Sequence, residues 1–390
     1  MNILVVPPND LISNVIPNRL YHLARHWQEK HTIYLLRYPN YPTSTNIERP
    51  LRYELVTFDA KPASNPGFYY LKNARAIYEA LKHVLKREYV DVIVHANVLP
   101  SLFAVRLARK YSVKTVFDYL DHYPDSASIY YKNLLAKKVV YTGVNLITSY
   151  NLRWSDRVVT VSYTLKQLIE RYTTRPVEVI PNGVDTELFR PMPRDQARRQ
   201  LSLEDRHPIV LYYGSITEWV DYGVLLEATA KLKERYPKML LLLVGKIYKQ
   251  SEELEIKQRI EELKIGENVA IIPPQPQERI PLYIAASNVI VAPHKPLLMN
   301  FGIPLKLLEP LACEKPVVTS IIPEFKIWLR DLLFYYESLE ELVTIITYIV
   351  ENPELILDQV KKARTYIVKN FDWKKLAVKY ENLLKNVLGS

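Results

Sequence analysis

Two doubly wound α/β domains, each a parallel sheet with helices on both faces, are the fold class that this 390-residue sequence predicts. Three observations carry the prediction. Short β-branched runs alternate with amphipathic helical stretches through the first half. The same rhythm restarts after residue 208. Between the two series, RPMPRDQARRQLSLEDRHP (190–208) is polar and rich in Pro and Arg, which places the domains at 1–190 and 191–370.

The strands of the first half follow as NILVV (2–6), TIYLL (32–36), YELVT (53–57), DVIVH (91–95), KTVFD (114–118) and RVVTV (157–161). Their apolar, β-branched character suits parallel strands buried on both faces. Between them IPNRLYHLARHWQEK (16–30) and FYYLKNARAIYEALKHVLKREY (68–89) have helical periodicity. The second half supplies IVLYYGS (209–215), MLLLLVGK (239–246), NVAII (268–272), NVIVAP (288–293) and PVVTS (316–320).

Charge is unevenly placed. Residues 1–190 hold 25 Lys/Arg against 16 Asp/Glu, nearly all of the net +10. That excess predicts an anionic partner (nucleic acid, a membrane surface or a phosphorylated ligand) or simply a solvated surface on a heat-adapted protein. A single cysteine, Cys313, excludes an intrachain disulfide and a thiolate-rich metal site, and fits a reducing compartment. MNILVV gives way to PPND after six residues, so no secretory leader is read. VVYTGVNLIT (139–148) is too short for a bilayer span of about 20 residues. The expectation is a cytoplasmic protein, soluble or peripheral at the membrane face.

Neither half contains G-x-G-x-x-G or a P-loop lysine motif, so a dinucleotide site or a Walker-type ATPase is not expected. Without C-x-x-C, H-E-x-x-H or a close D-x-D pair, no dedicated metal site is expected either. The nine glycines are about a third of average usage (~7%), and four stand at strand ends or turns: Gly183, Gly214, Gly245 and Gly302. Ligands of open α/β sheets bind beyond the carboxyl ends of strands, where Gly214 and Gly245 fall.

GIPLKLLEPLAC (302–313) adds chemistry to that position. Gly302 lets backbone amides approach a ligand, Pro304 suits a first helical turn, and a helix start is an anion site. Lys306 and Glu309 share a face, with Leu305, Leu308 and Ala312 toward the core. The lysine can hold phosphate and the carboxylate can accept two hydroxyl hydrogen bonds from a diol; a surface salt bridge is the plain alternative. Pro310 removes the bond to the Lys306 carbonyl and disfavours helix at Glu309, so the helix is expected to kink or to start later than Pro304. In VEVIPNGVDTELFRP (177–191), Asn182–Gly183 makes a turn after a strand, Asp185 caps a short helical turn and Phe189 anchors it, positioning an interdomain hinge.

VEVIPNGVDTELFRP and GIPLKLLEPLACEKPVV (302–318), in that order, resemble the retaining nucleotide-sugar glycosyltransferases of family 4, over nearly the whole chain. The resemblance implies the GT-B fold: two Rossmann-like domains facing across a cleft. FDWKKLAVKYENLLKNV (371–387) is then the terminal helix that returns to the N-domain, so that 371–390 complete domain 1–190. It implies a nucleoside diphosphate-sugar donor, UDP or GDP first, with no other cofactor. It implies a saccharide or lipid-linked acceptor on the basic N-domain and no nucleic acid; the charge of that half adds an anionic membrane surface as a further candidate partner. Transfer retains configuration, with amides, a helix terminus and cations rather than a metal stabilising the departing diphosphate. Glu309 takes the ribose-binding role, and Gly214, Ser215, Lys246, Gly302, Ile303 and Lys306 complete the donor site.

Three departures from the family pattern matter. A second, sugar-binding glutamate usually stands eight residues before the first, where this chain has Phe301. An Arg/Lys diphosphate clamp usually follows the first C-domain strand, where YYGSITEWVDYG offers Ser215 and Trp219–Val220. Lys306 is the first substitute, then Lys246 and Lys295, with Arg19 and Arg153 from the N-domain. The first βα loop, VVPPNDLISNVIPNR, lacks the usual glycines, leaving Asn9 and Asn14 as donors.

For the acceptor, VFDYLDHYPDSASIYY (116–131) stands where the family has a loop, often with a histidine, facing the anomeric carbon. Asp118, Asp121 and His122 are the catalytic candidates: a carboxylate to take the acceptor proton, an imidazole to orient the hydroxyl. A strand-end cap is the alternative for Asp118. His95 and Asn97 end a neighbouring strand. Residues 129–154 read first as a core helix with snorkelling lysines, and second as a membrane-interface segment. A non-catalytic subunit of a glycosyltransferase complex and a sugar-nucleotide epimerase remain the rival functions.

Overall fold

The structure is a computed structural model that describes residues 1–14, 17–45, 48–129, 131, 133–217, 219–295 and 301–389. The chain divides into two compact units, Met1–Asn182 with Trp373–Ser390, and Gly183–Asp372. The first crossing falls inside the Asn182–Gly183 turn. The polar segment after residue 190 belongs to the second unit, where Arg194–Leu201 form a helix.

Unit 1 has seven strands: β1 (Asn2–Val6), β2 (Thr32–Leu36), β3 (Glu54–Val56), β4 (Val92–His95), β5 (Lys114–Tyr119), β6 (Arg157–Thr160) and β7 (Val177–Val179). All pair in parallel in the order β3-β2-β1-β4-β5-β6-β7. The order reverses between β1 and β4. Alternate residues feed two cores. Ile3, Val5, Val92 and Val94 face one, and Leu4, Val6 and Ile93 the other.

The first core is closed by helix Arg19–Trp27 and by the returning helix Trp373–Leu388. His22 stacks on Trp373 at 4.9 Å, and Trp27 Nε1 donates to the Ala377 carbonyl at 3.2 Å. Leu376, Tyr380, Leu384 and Val387 are buried there. Full burial of such a side chain is worth about 1.5–3 kcal/mol, so contact rather than helix propensity seats this helix.

The long periodic stretch at 68–89 lies in two helices, Pro66–Lys72 and Ala74–Arg87. Asn73 separates them, its side chain bonding the Lys61 backbone and the Tyr69 carbonyl. The core-helix reading of 129–154 fails. Helix Leu134–Trp154 buries only Thr148, Asn151 and Leu152, while Leu135, Val139 and Leu146 are 73%, 63% and 66% exposed. Among the described residues no helix is long and apolar enough to cross a membrane.

Unit 2 has six parallel strands: β8 (Ile209–Tyr213), β9 (Leu240–Val244), β10 (Val269–Ile272), β11 (Val289–Ala292), β12 (Val317–Ser320) and β13 (Phe334–Tyr336). Their order is β10-β9-β8-β11-β12-β13, reversing between β8 and β11. The edge strand β13 was not expected, being three residues long with its pattern half-exposed. Tyr213 faces the core shared with helix Leu305–Ala312, and Tyr212 faces the opposite one.

Candidate donor site and its partners

In an open α/β sheet the crevice forms where strand order reverses, because the chains leaving adjacent strands diverge to opposite faces. In unit 2 that is the end of β8 and β11. Gly214 ends β8 with φ +119°, and Gly245 ends β9 with φ +154°. A Cβ on Gly245 would lie 1.9 Å from the Gly214 carbonyl oxygen, so only glycine lets these strand ends approach. A Cβ on Gly214 would meet Lys306 Nζ at 3.2 Å. The ammonium therefore lies against bare backbone at the strand end.

Helix Leu305–Ala312 brings Lys306 there. It begins after Pro304, which is its N-cap at ψ 141°, and carries Pro310 inside. The start falls one residue after Pro304, yet the helix still runs through Glu309 and Pro310, so the proline does not disrupt helix at Glu309, contrary to expectation. Leu307, Leu308, Leu311 and Ala312 are fully buried and anchor the helix, while Leu305 is half-buried. Ile303 is buried; Phe301 and Gly302 are half-buried.

Glu309 is 6% exposed and accepts a hydrogen bond from the Tyr213 hydroxyl at 2.7 Å. Lys306 Nζ donates to the Tyr212 hydroxyl at 3.0 Å and lies 4.7 Å from that ring's centroid. Lysine and glutamate thus lean on adjacent tyrosines from opposite faces of β8. Burial pushes the Glu309 carboxyl up to about 7, against hydrogen bonds from Tyr213 and Gln277 and the nearby Lys306 charge. Burial pushes Lys306 down to about 8, with Glu309 opposing. A group that pairs its charge only partly is held ready to change state near neutrality.

The segment expected to carry a diphosphate clamp is tied elsewhere. Ile216 bridges Ile247, Val220 bridges His294, Asp221 N–H donates to the Pro293 carbonyl and Lys295 N–H to that of Trp219. The Ser215 carbonyl accepts from the Tyr212 hydroxyl at 2.7 Å. Lys246 lies 4.8 Å from the Tyr248 ring, and Lys295 is exposed. Of the expected donor-site residues, the structure brings Gly214, Ser215, Lys306 and Glu309 together. Tyr212, Tyr213 and His294 join them, unread in the sequence.

In unit 1, Asp118 lies within β5 and forms a buried ion pair with Arg19 Nε at 2.9 Å; it is no strand-end cap. Arg19 Nη1 also donates to the Pro181 carbonyl at 2.6 Å, and its guanidinium lies 5.8 Å from the Tyr380 ring. Burial raises the Asp118 carboxyl and the Arg19 charge opposes that rise. Arg19 thereby joins the N-terminal helix, the sheet, the Pro-Asn-Gly turn and the returning helix.

Asp121 is bound by the His122 N–H and the Ser126 hydroxyl. His122 opens the short helix Tyr123–Ser128, so the two neighbours do not alternate as in a strand. His122 Nδ1 meets Asp125 Oδ2 at 2.6 Å, a pairing the sequence reading missed. His95 is fully buried on Phe117 and Ser155, and Asn97 Nδ2 donates to the Pro7 and Pro8 carbonyls. Asn9 Oδ1 accepts from Asn18, and the Asn14 carbonyl from Arg49. Among the described residues no three His, Cys, Asp or Glu side chains group to hold a metal ion.

Comparison with known proteins agrees with this geometry. The model for "Glycosyltransferase Family 4" matches residues 16–188, nearly all in unit 1, and that for "Glycosyl transferases group 1" matches 193–366, within unit 2. The chain belongs to glycosyltransferase family 4. It is 31% identical over 187 residues to the D-inositol 3-phosphate glycosyltransferase of Acidothermus cellulolyticus, a match covering 45% of this chain. The chain spans about two fifths (41%) of that relative's length. Sucrose-phosphate synthase of Thermosynechococcus elongatus aligns over 100% of both chains with TM-score 0.80 at 19% identity. HepE of Anabaena, solved with UDP-glucose, covers 99% of this chain and 100% of its own at TM-score 0.71 and 16% identity. At these identities the structures establish the GT-B fold.

Proposed function

We propose that this family 4 protein is a retaining glycosyltransferase that moves a sugar from a nucleoside diphosphate-sugar to a saccharide or lipid-linked acceptor. The observation that carries the reading is the group at the β8–β11 switch point: bare backbone at Gly214, the Lys306 ammonium against it, and the buried Glu309 carboxylate held by Tyr213. An ionised carboxylate has about four acceptor positions, so with Tyr213 and Gln277 as donors the buried Glu309 keeps capacity for a diol, as a ribose offers. Lys306, with the amides at Gly302 and Ile303 and the start of helix Leu305–Ala312, meets the charge that develops on the departing diphosphate. Lys246 and Ser215 border this group. UDP is the first nucleotide to test, because HepE holds UDP-glucose.

On the acceptor side, Asp118 is committed to Arg19 and Asp121 to its own loop, which favours the His122–Asp125 pair as the group that orients the acceptor hydroxyl. A thermal-shift series with UDP, GDP, ADP and their glucose conjugates tests the donor site. Stabilisation by at least one nucleotide, followed by donor turnover that survives exhaustive chelation, is the expected result. Turnover lost with chelator and restored by Mg²⁺ would give the diphosphate charge to a metal and overturn the metal-free reading.

Helix Leu134–Trp154 favours a second partner, an anionic membrane surface. Its exposed Leu135, Val139 and Leu146 recur along one side, with exposed Lys138 beside them and exposed Lys137 on the opposite face. Apolar groups flanked by lysines suit a bilayer interface. Lys132, a third lysine of this stretch, lies outside the described residues. Co-sedimentation should be stronger with anionic than with neutral vesicles and should weaken with salt. Absence of binding to both would remove the membrane from the account.

A further inference from the structure

The donor site as described leaves one buried polar group beside it unused. His294 stands where β11 ends, next to the end of β8. Its backbone is fixed from several sides. The N–H donates to Ser320 Oγ at 2.9 Å, the carbonyl accepts from the Ser320 hydroxyl, and Val220 bridges it. The ring meets Phe325 edge-on at 5.6 Å between centroids. The residue is 3% exposed, yet Nδ1 has no hydrogen-bond partner among the described residues.

Buried polar atoms are almost always paired, and an unpaired one calls for a reason. An apolar side chain would fill this place without leaving a ring nitrogen unmatched. Burial and the neighbouring Lys306 charge push the imidazole down to about 3, against a ring hydrogen bond with the Ala292 backbone, so it is neutral at working pH. A neutral ring beside an ammonium does not serve as a second cation for a diphosphate. It can exchange one hydrogen bond with a hydroxyl, which donates to a bare nitrogen or accepts from an N–H, whichever tautomer is present.

We infer that His294 contacts the transferred sugar, its Nδ1 bonding one sugar hydroxyl in the pocket where Phe301 takes the place of a carboxylate. The inference rests on the donor-site reading above. It also sharpens it: a single neutral bond reads the sugar weakly, whereas the buried Glu309 reads the nucleotide strongly. The donor pocket is then permissive toward the sugar.

Calorimetry on UDP and UDP-glucose, with wild type, His294→Ala and His294→Gln, tests it. His294→Ala should weaken UDP-glucose by about threefold to tenfold, the worth of one neutral hydrogen bond, and leave UDP within about twofold. His294→Gln, which keeps a polar atom, should recover part of the loss. Equal losses for UDP and UDP-glucose, or none for either, would overturn the sugar contact. If the substituted proteins melt early, wild type with the monodeoxyglucose conjugates of UDP gives the answer. One deoxy position should bind about threefold to tenfold less tightly, and a flat series would sink the inference. Failure of wild type to bind UDP, GDP or ADP in any form is a different result, which removes the donor site itself.

Discussion

Both units place a strand-order reversal at the centre of a parallel sheet, and they fill the resulting crevices in opposite ways. In unit 1 the chain leaving β1 is Pro7–Pro8–Asn9. Its two proline carbonyls are taken by the Asn97 amide and by the hydroxyls of Tyr38 and Tyr70. Tyr38, Tyr41, Tyr69 and Tyr70 pack ring against ring above them, most of them edge to face. In unit 2 the chain leaving β8 is Gly214–Ser215: the Lys306 head lies against Gly214, the buried Glu309 bonds Tyr213 just before it, and His294 follows the neighbouring β11 with Nδ1 unmatched among the described residues. Topology supplies the hollow in both. What marks a hollow as a binding site is polar capacity that the protein itself does not use.

Four measurements can break or refine this contrast. The largest effect should come from Gly245→Ala. The added methyl would collide with the Gly214 carbonyl, so chemical denaturation should show a loss of about 3 kcal/mol or more. Unchanged stability would mean that the strand ends are not pressed together. Next comes Glu309→Ala, which should cost about 1–3 kcal/mol of nucleotide affinity. A folded variant with wild-type affinity for every nucleoside diphosphate would leave unit 2 without its ribose group.

The third effect is a pH profile. Glu309, raised to about 7, is protonated below that pH and then accepts hydroxyl bonds poorly. Lys306, lowered to about 8, loses its charge above that pH. Nucleotide-sugar affinity should therefore rise from pH 6 to 7, peak between 7 and 8, and fall beyond. Glu309→Gln should flatten the acid limb; an acid limb that persists would assign it to another group. Smallest is Tyr70→Phe in unit 1, expected to cost about 1 kcal/mol of stability through the lost bond to Pro8, and nothing in nucleotide affinity. A fall in affinity would show that the sealed crevice also serves the donor.

The strands were legible because each is a compact apolar run. The three-residue β13 escaped because an edge strand buries too little to need one. The motif at 302–313 gave Lys306 and Glu309 from spacing alone, but their partners could not be read that way. Tyr213 meets Glu309 across 96 positions and Tyr212 meets Lys306 across 94. Which strand abuts which helix decides such pairs, and no local pattern encodes it. IVLYYGS did contain a hint: two tyrosines at the end of an otherwise aliphatic strand place hydroxyls where ligands bind. Asp125, three residues from His122 across a helix start, was within reach of sequence reasoning. The lysine-rich stretch misled because periodicity is the same whether an apolar stripe is packed in a core or left exposed.

The bridge from Val184 to Asp372 has a consequence for how such a protein can be rebuilt. With the Val184 N–H donating to the Phe371 carbonyl and Thr186 bonding Asp372, the first and last residues of unit 2 lie side by side. Unit 2 is therefore an uninterrupted insert with joined ends, and unit 1 is the host that it interrupts. Exchanging the one contiguous coding stretch for 183–372 transplants an entire six-stranded sheet, with both chain breaks at a single place. Recombination between relatives can thus trade unit 2 as a cassette, leaving the host's core and its returning helix as they were.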